Sequence, residues 1–206
     1  MNTDQLDLWT SGFGRDYAGR NPITDEVVRR QLRRWGRILS HTVTPFPSSV
    51  LEVGCNVGRN LVALAQMVER VHAVEPNAEV LEAARRNPAL SRADIRVGSA
   101  FELPFEDASI DLVFTSGVLI HIAPDDLPRA VDEIVRVARR YVLCIEYFSH
   151  EPVAVRYRGL DGFLFKRDFG QYYLERFASL RVLGYGFFWK PLDAGDNSNW
   201  WLFEKR

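Results

Sequence analysis

Between residues 49 and 147 the apolar positions of this chain switch repeatedly between two periods. SVLEVG (49–54) is a short continuous apolar run, the pattern of a strand covered on both faces, and helical spacing follows from about Arg59 to Val68. VHAVEP (71–76) predicts a second strand. Asn77 is placed to cap the next helix, which turns Val80, Leu81 and Ala84 to one side. ADIRVGS predicts a third strand and DLVFTS (111–116) a fourth. A helix starting at Asp125 or Asp126 sends Leu127, Val131, Ile134 and Val137 inward, and YVLCIEY (141–147) predicts a fifth strand. Such alternation implies right-handed crossovers and a parallel sheet with helices on both faces.

The two ends depart from this rhythm. RVLGYGFFWK (181–190) and WWLFEKR (200–206) read as strands, and the turn-rich PLDAGDNSN between them is too short for a crossover helix, so they pair antiparallel. Upstream, Thr24 is expected to cap a helix with Val28, Leu32, Trp35 and Leu39 on its apolar face and Arg29, Arg30, Arg33, Arg34 and Arg37 on a solvated one. Residues 1–23 mix glycine with Trp9, Phe13 and Tyr17 and read as a partly structured arm. The expected fold is α/β: a doubly wound, mostly parallel seven-stranded sheet of Rossmann-like type with a C-terminal antiparallel hairpin. It forms one domain over 1–206, with an insertion at 150–178.

Composition narrows the function. At 206 residues, 47% hydrophobic and 26% charged, the chain has the makeup of a soluble globular protein. A formal net charge of −1 gives no reason to expect a nucleic-acid or membrane partner. Two cysteines, Cys55 and Cys144, make no disulfide framework or zinc motif, so no metal is expected. MNTDQLDLW has no leader-like apolar run, and a cytoplasmic location is the default expectation. Monomer and homodimer are both left open.

The chemistry concentrates in VLEVGCNVGRN (50–60). A loop after the first strand of a doubly wound sheet faces the ligand crevice. The dinucleotide pattern G-x-G-x-x-G fails, because Asn56 and Arg59 stand where its second and third glycines belong, and no lysine follows to make a P-loop. What remains is E-x-G-x-N-x-G over Glu52–Gly58, followed by Glu75 at the end of the second strand. A carboxylate there suits the vicinal hydroxyls of a ribose, and Glu52 suits an ammonium while discouraging a pyrophosphate. Ribose with ammonium and without phosphate describes S-adenosylmethionine. Cys55, between two glycines and without a base nearby, is expected to be a small residue facing the ligand rather than a nucleophile.

This order resembles the class I S-adenosylmethionine-dependent methyltransferases over nearly the whole chain. The resemblance implies that Gly54, Cys55, Asn56, Gly58 and Asn60 form the loop along the methionine and ribose. It implies that Glu52 and Glu75, with Pro76 beside it, hold the cofactor's polar groups. Ser99, Ala100 and Phe101 would flank the adenine, and Ser116 and Val118 would face the methyl donor. Asn56 departs from the usual middle glycine but tolerates left-handed dihedrals; Ser99 stands where an acid usually contacts adenine. Tyr17 and Arg20 are expected to close over the cofactor, Arg20 pairing with its carboxylate.

More narrowly, LWTSGFGRDYAGRN, FTSGVLIHIAPDDL, EYFSHEPVAVRYRGLDGFLFKRDFG, YGFFWK and WWLFEKR resemble the methylases associated with pseudaminic acid biosynthesis. That implies methyl transfer to a small, acidic, sugar-derived acceptor. Candidate bases are His121, after the fourth strand, and Glu146, ending the fifth. Tyr147 and the aromatic-basic stretch 153–169, with Tyr157, Arg158, Lys166 and Arg167, read as an acceptor lid whose cations meet a carboxylate or phosphate. The alternatives are a protein that binds S-adenosylmethionine without transferring its methyl group, and an NAD-dependent oxidoreductase, which Asn56 and Arg59 disfavour.

Overall fold

The computed structural model describes residues 3–42, 45–193 and 195–206. The chain divides into two compact units, Met1–Phe105 and Glu106–Arg206. Of its seven long strands, Asp94–Val97, Arg70–Glu75 and Ser49–Val53 lie side by side in that order in the first unit, and Ile110–Ser116, Ala138–Glu146, Ser198–Lys205 and Leu180–Phe188 in that order in the second.

In the first unit the stretch expected as an arm forms two helices, α1 (Asp4–Thr10) and α2 (Gly12–Gly19). The hydroxyls of Thr3 and Ser11 cap them, accepting from Leu6 N and Phe13 N. Trp9 joins them, edge-on to Phe13 and Tyr17 at ring-centroid distances of 5.4 and 5.2 Å. The helices approach so closely that a Cβ at Gly14 would lie 2.0 Å from the Trp9 carbonyl oxygen. Glycine is required there for space.

α3 (Asp25–Leu39) starts at Thr24 as expected, with the hydroxyl accepting from Val27 N. Its buried face is rotated from the expected one. Val27, Arg30, Gln31, Trp35, Ile38 and Leu39 are inside, whereas Val28 and Leu32 are half-buried. At about 100° per residue the buried positions centre near Gln31 and Ile38, roughly 50° to one side of Trp35. The apolar Val28 and Leu32 fall on the flank of this stripe. Arg29, Arg33 and Arg37 are exposed as expected; Arg30 is not.

β1 (Ser49–Val53), β2 (Arg70–Glu75) and β3 (Asp94–Val97) pair in parallel. Every residue of β1 is buried, as suits a strand covered on both faces. α4 (Arg59–Leu64) is shorter than the spacing predicted, its end tapering through Gln66 N to Ala63 O and Met67 N to Leu64 O. α5 (Ala78–Arg85) buries Val80, Leu81 and Ala84 as expected.

In the second unit β4 (Ile110–Ser116) pairs in parallel with β5 (Ala138–Glu146), and α6 (Leu127–Val137) connects them with Leu127, Val131, Ile134 and Val137 inside. β8 (Leu180–Phe188) and β9 (Ser198–Lys205) are the expected antiparallel pair, and β9 also runs antiparallel to β5. One helical turn, α8 (Lys190–Asp193), lies in their connection. Gly186 and Gly170 leave room for tryptophans: a Cβ at either would come within 2.6 Å of Trp200 or 2.2 Å of Trp201. The insertion is a two-stranded ribbon, β6 (Val153–Ala154) with β7 (Phe165–Lys166), followed by α7 (Phe169–Arg176).

Candidate cofactor and acceptor sites

The ligand loop of the first unit is built by backbone geometry. Gly54, Asn56 and Gly58 have φ of 78°, 50° and 84°. Asn56 holds its left-handed conformation with its own side chain, whose Oδ1 accepts from Val57 N at 2.8 Å. The N–H groups of Gly54 and Cys55 both donate to Val74 O, which clips the loop to β2. At Gly58 a Cβ would come within 2.8 Å of Leu90 Cδ1.

This clip brings Glu75 under the loop. Asn56 N donates to its Oε2 at 2.9 Å and Asn77 N to its Oε1 at 3.0 Å. Each carboxylate oxygen therefore keeps one acceptor position, the arrangement that receives two adjacent hydroxyls. Burial pushes the Glu75 carboxyl up, and the two N–H groups oppose that shift.

Glu52 is 2% exposed. Asn60 Nδ2 donates to its Oε1 at 2.6 Å, while its Oε2 is buried without a hydrogen bond. Burial raises its pKa to about 8. An orphaned acceptor of this kind fits an ammonium donor. Cys55 is buried and its thiol is pushed well above its ordinary range by desolvation, so it holds no ready thiolate.

The sequence predicts Asn77 as a helix cap, and the structure adds a second role. Its Oδ1 accepts from Glu79 N and Val80 N, and its Nδ2 donates to Trp9 O and Ser11 O at 3.0 and 3.3 Å. It ties α1 and α2 to the residues beside Glu75. Pro76, half-buried, spaces Glu75 from Asn77. Ser99 Oγ accepts from Phe101 N at 3.3 Å, with Ala100 and Phe101 buried after it. Arg20 departs from the expected inward role. It is exposed, with its guanidinium 5.7 Å from the Tyr17 ring centroid. Two other cations of this unit lie further inside: Arg30, which is buried, and Arg59, half-buried with Nη1 donating to Asn21 Oδ1 at 2.8 Å.

In the second unit Ser116 ends β4, Gly117 follows at φ 70°, and Val118 begins a tight turn through His121. The expected crevice-facing placement of Glu146 is corrected. The residue is fully buried, and its Oε1 accepts from Val118 N and Leu119 N at 3.1 Å each, its Oε2 from Ile120 N at 3.4 Å. Its carboxyl anchors the turn, with a pKa raised by burial to about 7. His121 is also buried. Its Nδ1 lies 2.7 Å from Phe163 O, which fixes the tautomer that donates there, and desolvation lowers its pKa to about 4.

The expected acceptor residues divide into two groups. Tyr157 packs on His121 with ring centroids 4.9 Å apart, and Arg158 lies over the Tyr157 ring at 5.6 Å. Lys166 lies 5.5 Å from the Tyr147 ring, whose hydroxyl donates to Asp196 at 2.7 Å, and Arg167 stacks on Tyr172 at 4.1 Å. A cavity of about 170 Å³ beside the ribbon is lined by Leu119, Ile122, Leu127, Phe165, Phe169 and neighbours, Lys166 and Arg167 among them.

Residues 51–145 match a family model described as "Methyltransferase domain". An uncharacterized methyltransferase of Schizosaccharomyces pombe is 36% identical over 110 residues, 47% of this chain and 39% of that protein. The chain spans between 27% and 54% of the lengths of the curated relatives it matches. Among solved structures, the magnesium protoporphyrin IX methyltransferase of Synechocystis PCC 6803 with bound SAM superposes with a TM-score of 0.71 at 14% identity, covering 100% of this chain and 99% of that one. The 1,6-didemethyltoxoflavin-N1-methyltransferase of Burkholderia thailandensis, with bound S-adenosylhomocysteine, gives 0.70 at 18% identity, covering 98% and 86%. The fold is that of the S-adenosylmethionine-dependent methyltransferases.

Proposed function

We propose that this chain transfers a methyl group from S-adenosylmethionine to a small acidic acceptor. One observation carries the reading: Glu75 is held from behind by Asn56 N and Asn77 N, with one acceptor position left on each oxygen. That is a diol receptor under a loop with three left-handed residues, and it suits a ribose. The orphaned Glu52 Oε2 supports it as a partner for the cofactor's ammonium. Gly54, Cys55, Asn56, Gly58 and Asn60 line the loop, with Pro76, Ser99, Ala100 and Phe101 on the adenine side. Ser116 and Val118 follow β4.

When bound, the sulfonium supplies an electrophilic methyl group. The chain's own part is to align donor and acceptor and, for a hydroxyl acceptor, to accept a proton. His121 takes that proton in our reading, because its Nδ1 donates to Phe163 and it stays neutral above about pH 4. Glu146 positions the Val118–Ile120 turn and takes no proton. Tyr147, Tyr157, Arg158, Lys166 and Arg167 face the acceptor. A sugar-derived acid is the first acceptor to test, on the strength of the resemblance in EYFSHEPVAVRYRGLDGFLFKRDFG and its companion segments.

A second reading has one observation in its favour. Both candidate bases are buried and hydrogen-bonded to backbone, as in a protein that binds the cofactor without turning it over.

Calorimetric titration with S-adenosylhomocysteine, with NAD in parallel, tests the cofactor. Binding of the first alone is expected, and Glu75→Ala should weaken it by at least about tenfold, about 1.4 kcal/mol. Unchanged affinity in that variant would remove the ribose assignment. Formation of S-adenosylhomocysteine across a panel of acidic sugars and sugar nucleotides separates the two readings; no turnover with any acceptor favours the second.

A further inference from the structure

The first unit holds two guanidinium groups, one buried and one half-buried, whose Nε atoms are buried without a hydrogen bond and which form no ion pair among the described residues. Arg30 is 9% exposed, on the inner face of α3 between Val27 and Trp35, and its Nε is buried without a hydrogen bond. Arg59 opens α4, the helix that packs on α3, and its Nε is also buried and unpartnered. Among the described residues no carboxylate forms an ion pair with either; the one neutral partner is Asn21, which accepts from Arg59 Nη1. Loss of water and, after it, the charge of Arg30 lower the proton affinity of Arg59, and Tyr17 opposes them.

Packing alone does not explain this pair. Three other arginines of α3 reach solvent, so a charge at position 30 is not required for a basic helix. A buried cation that repels a second one is a cost that an apolar residue of similar length would avoid. Buried charges persist where something pairs them. The donors are planar forks, and the groups that match two such forks are carboxylates and related oxyanions.

We infer that Arg30 and Arg59 form a binding site for one carboxylate, contributed by a ligand. The inference rests on the reading given under Proposed function for its two sources, the amino-acid end of the cofactor or the acid group of the acceptor. It transfers to α3 and α4 the role that the sequence suggested for Arg20.

The test uses the whole protein and four probes: S-adenosylhomocysteine, 5′-methylthioadenosine (which keeps adenine and ribose but lacks the amino acid), sodium acetate and sodium chloride at matched ionic strength. Arg30→Met keeps the length and removes the charge. Asn21→Ala leaves both charges and controls for loosening near Arg59. If the cofactor supplies the carboxylate, Arg30→Met weakens S-adenosylhomocysteine about tenfold or more and leaves 5′-methylthioadenosine unchanged. If the acceptor supplies it, both nucleosides bind as before, while acetate raises the melting temperature of the wild type beyond chloride and fails to do so in Arg30→Met. Nucleoside binding unchanged in Arg30→Met, together with equal responses to acetate and chloride in both proteins, would overturn the inference. Failure of both nucleosides to bind the wild type would count against the cofactor reading instead, and acetate against chloride would still decide the arginine site.

Discussion

At the scale of single residues, burial separates side chains that look equivalent in the sequence. His121 and Glu146 both follow strand ends and both read as bases. Glu146 spends its carboxylate on three consecutive backbone N–H groups, while His121 spends one nitrogen on Phe163 O. Only the second arrangement leaves a neutral base in a defined tautomer. His121→Ala should therefore reduce turnover on a hydroxyl acceptor by about a hundredfold or more while S-adenosylhomocysteine binds as in the wild type. Rates and affinity measured on the same preparation check this, and full activity would return His121 to a structural role. The site residues that the sequence made legible were those whose chemistry is local: left-handed Asn56, and acids at strand ends. Arg30 was illegible for a definable reason. Five arginines on one helix look interchangeable until the buried stripe places one of them inside.

At the scale of elements, β1, β2, β4, β5 and the final hairpin follow the apolar pattern closely, because a strand buried on both faces shows as a continuous run and a short turn dictates antiparallel pairing. The N-terminal helices did not show, since α1 is only seven residues long and α2 carries three glycines; both are held here by the Trp9 ring cluster and a long-range bond from Asn77. Asn77 makes that dependence testable. Asn77→Ala removes the cap of α5, a loss of about 1 kcal/mol, and also the tether to Trp9 O and Ser11 O. Because Glu75 is held by the backbone N–H of residue 77, the substitution leaves that hydrogen bond, and with it the proposed ribose receptor, in place. The expected result is faster amide exchange across α1 and α2 with S-adenosylhomocysteine affinity changed by no more than a few-fold. Unchanged exchange there would mean that the aromatic cluster alone holds these helices.

At the scale of the whole molecule, the buried titratable groups set how stability follows pH, and their signs oppose one another. Burial raises Glu52 to about 8 and Glu146 to about 7. The folded state thus holds protons that the unfolded chain has released above about pH 4.5, and stability falls as pH climbs from there until each folded value is passed. His121, lowered to about 4, works the other way: the folded state resists the proton, and stability falls as pH drops from about 6.5 toward 4. Asp94 and Glu204, held down by Arg96 and Arg181, add a further loss on the acid side. Burial also raises Glu75 and lowers His72; between about pH 4.5 and 6.5 three carboxyls outweigh two imidazoles, so the unliganded protein should be most stable in mild acid and lose stability toward pH 8. Glu52→Gln isolates the largest contribution, since the amide oxygen can still accept from Asn60 and carries no charge to bury. Relative to this variant, the wild type should lose about 4 kcal/mol of unfolding free energy between pH 5 and pH 9, about 1.36 kcal/mol for each unit up to the folded value. Urea titrations of both proteins at several pH values measure the difference. Parallel curves would mean that Glu52 is already ionised in the folded, unliganded protein at neutral pH; burial would then not control its charge, and its carboxylate would stand ready to pair with an ammonium.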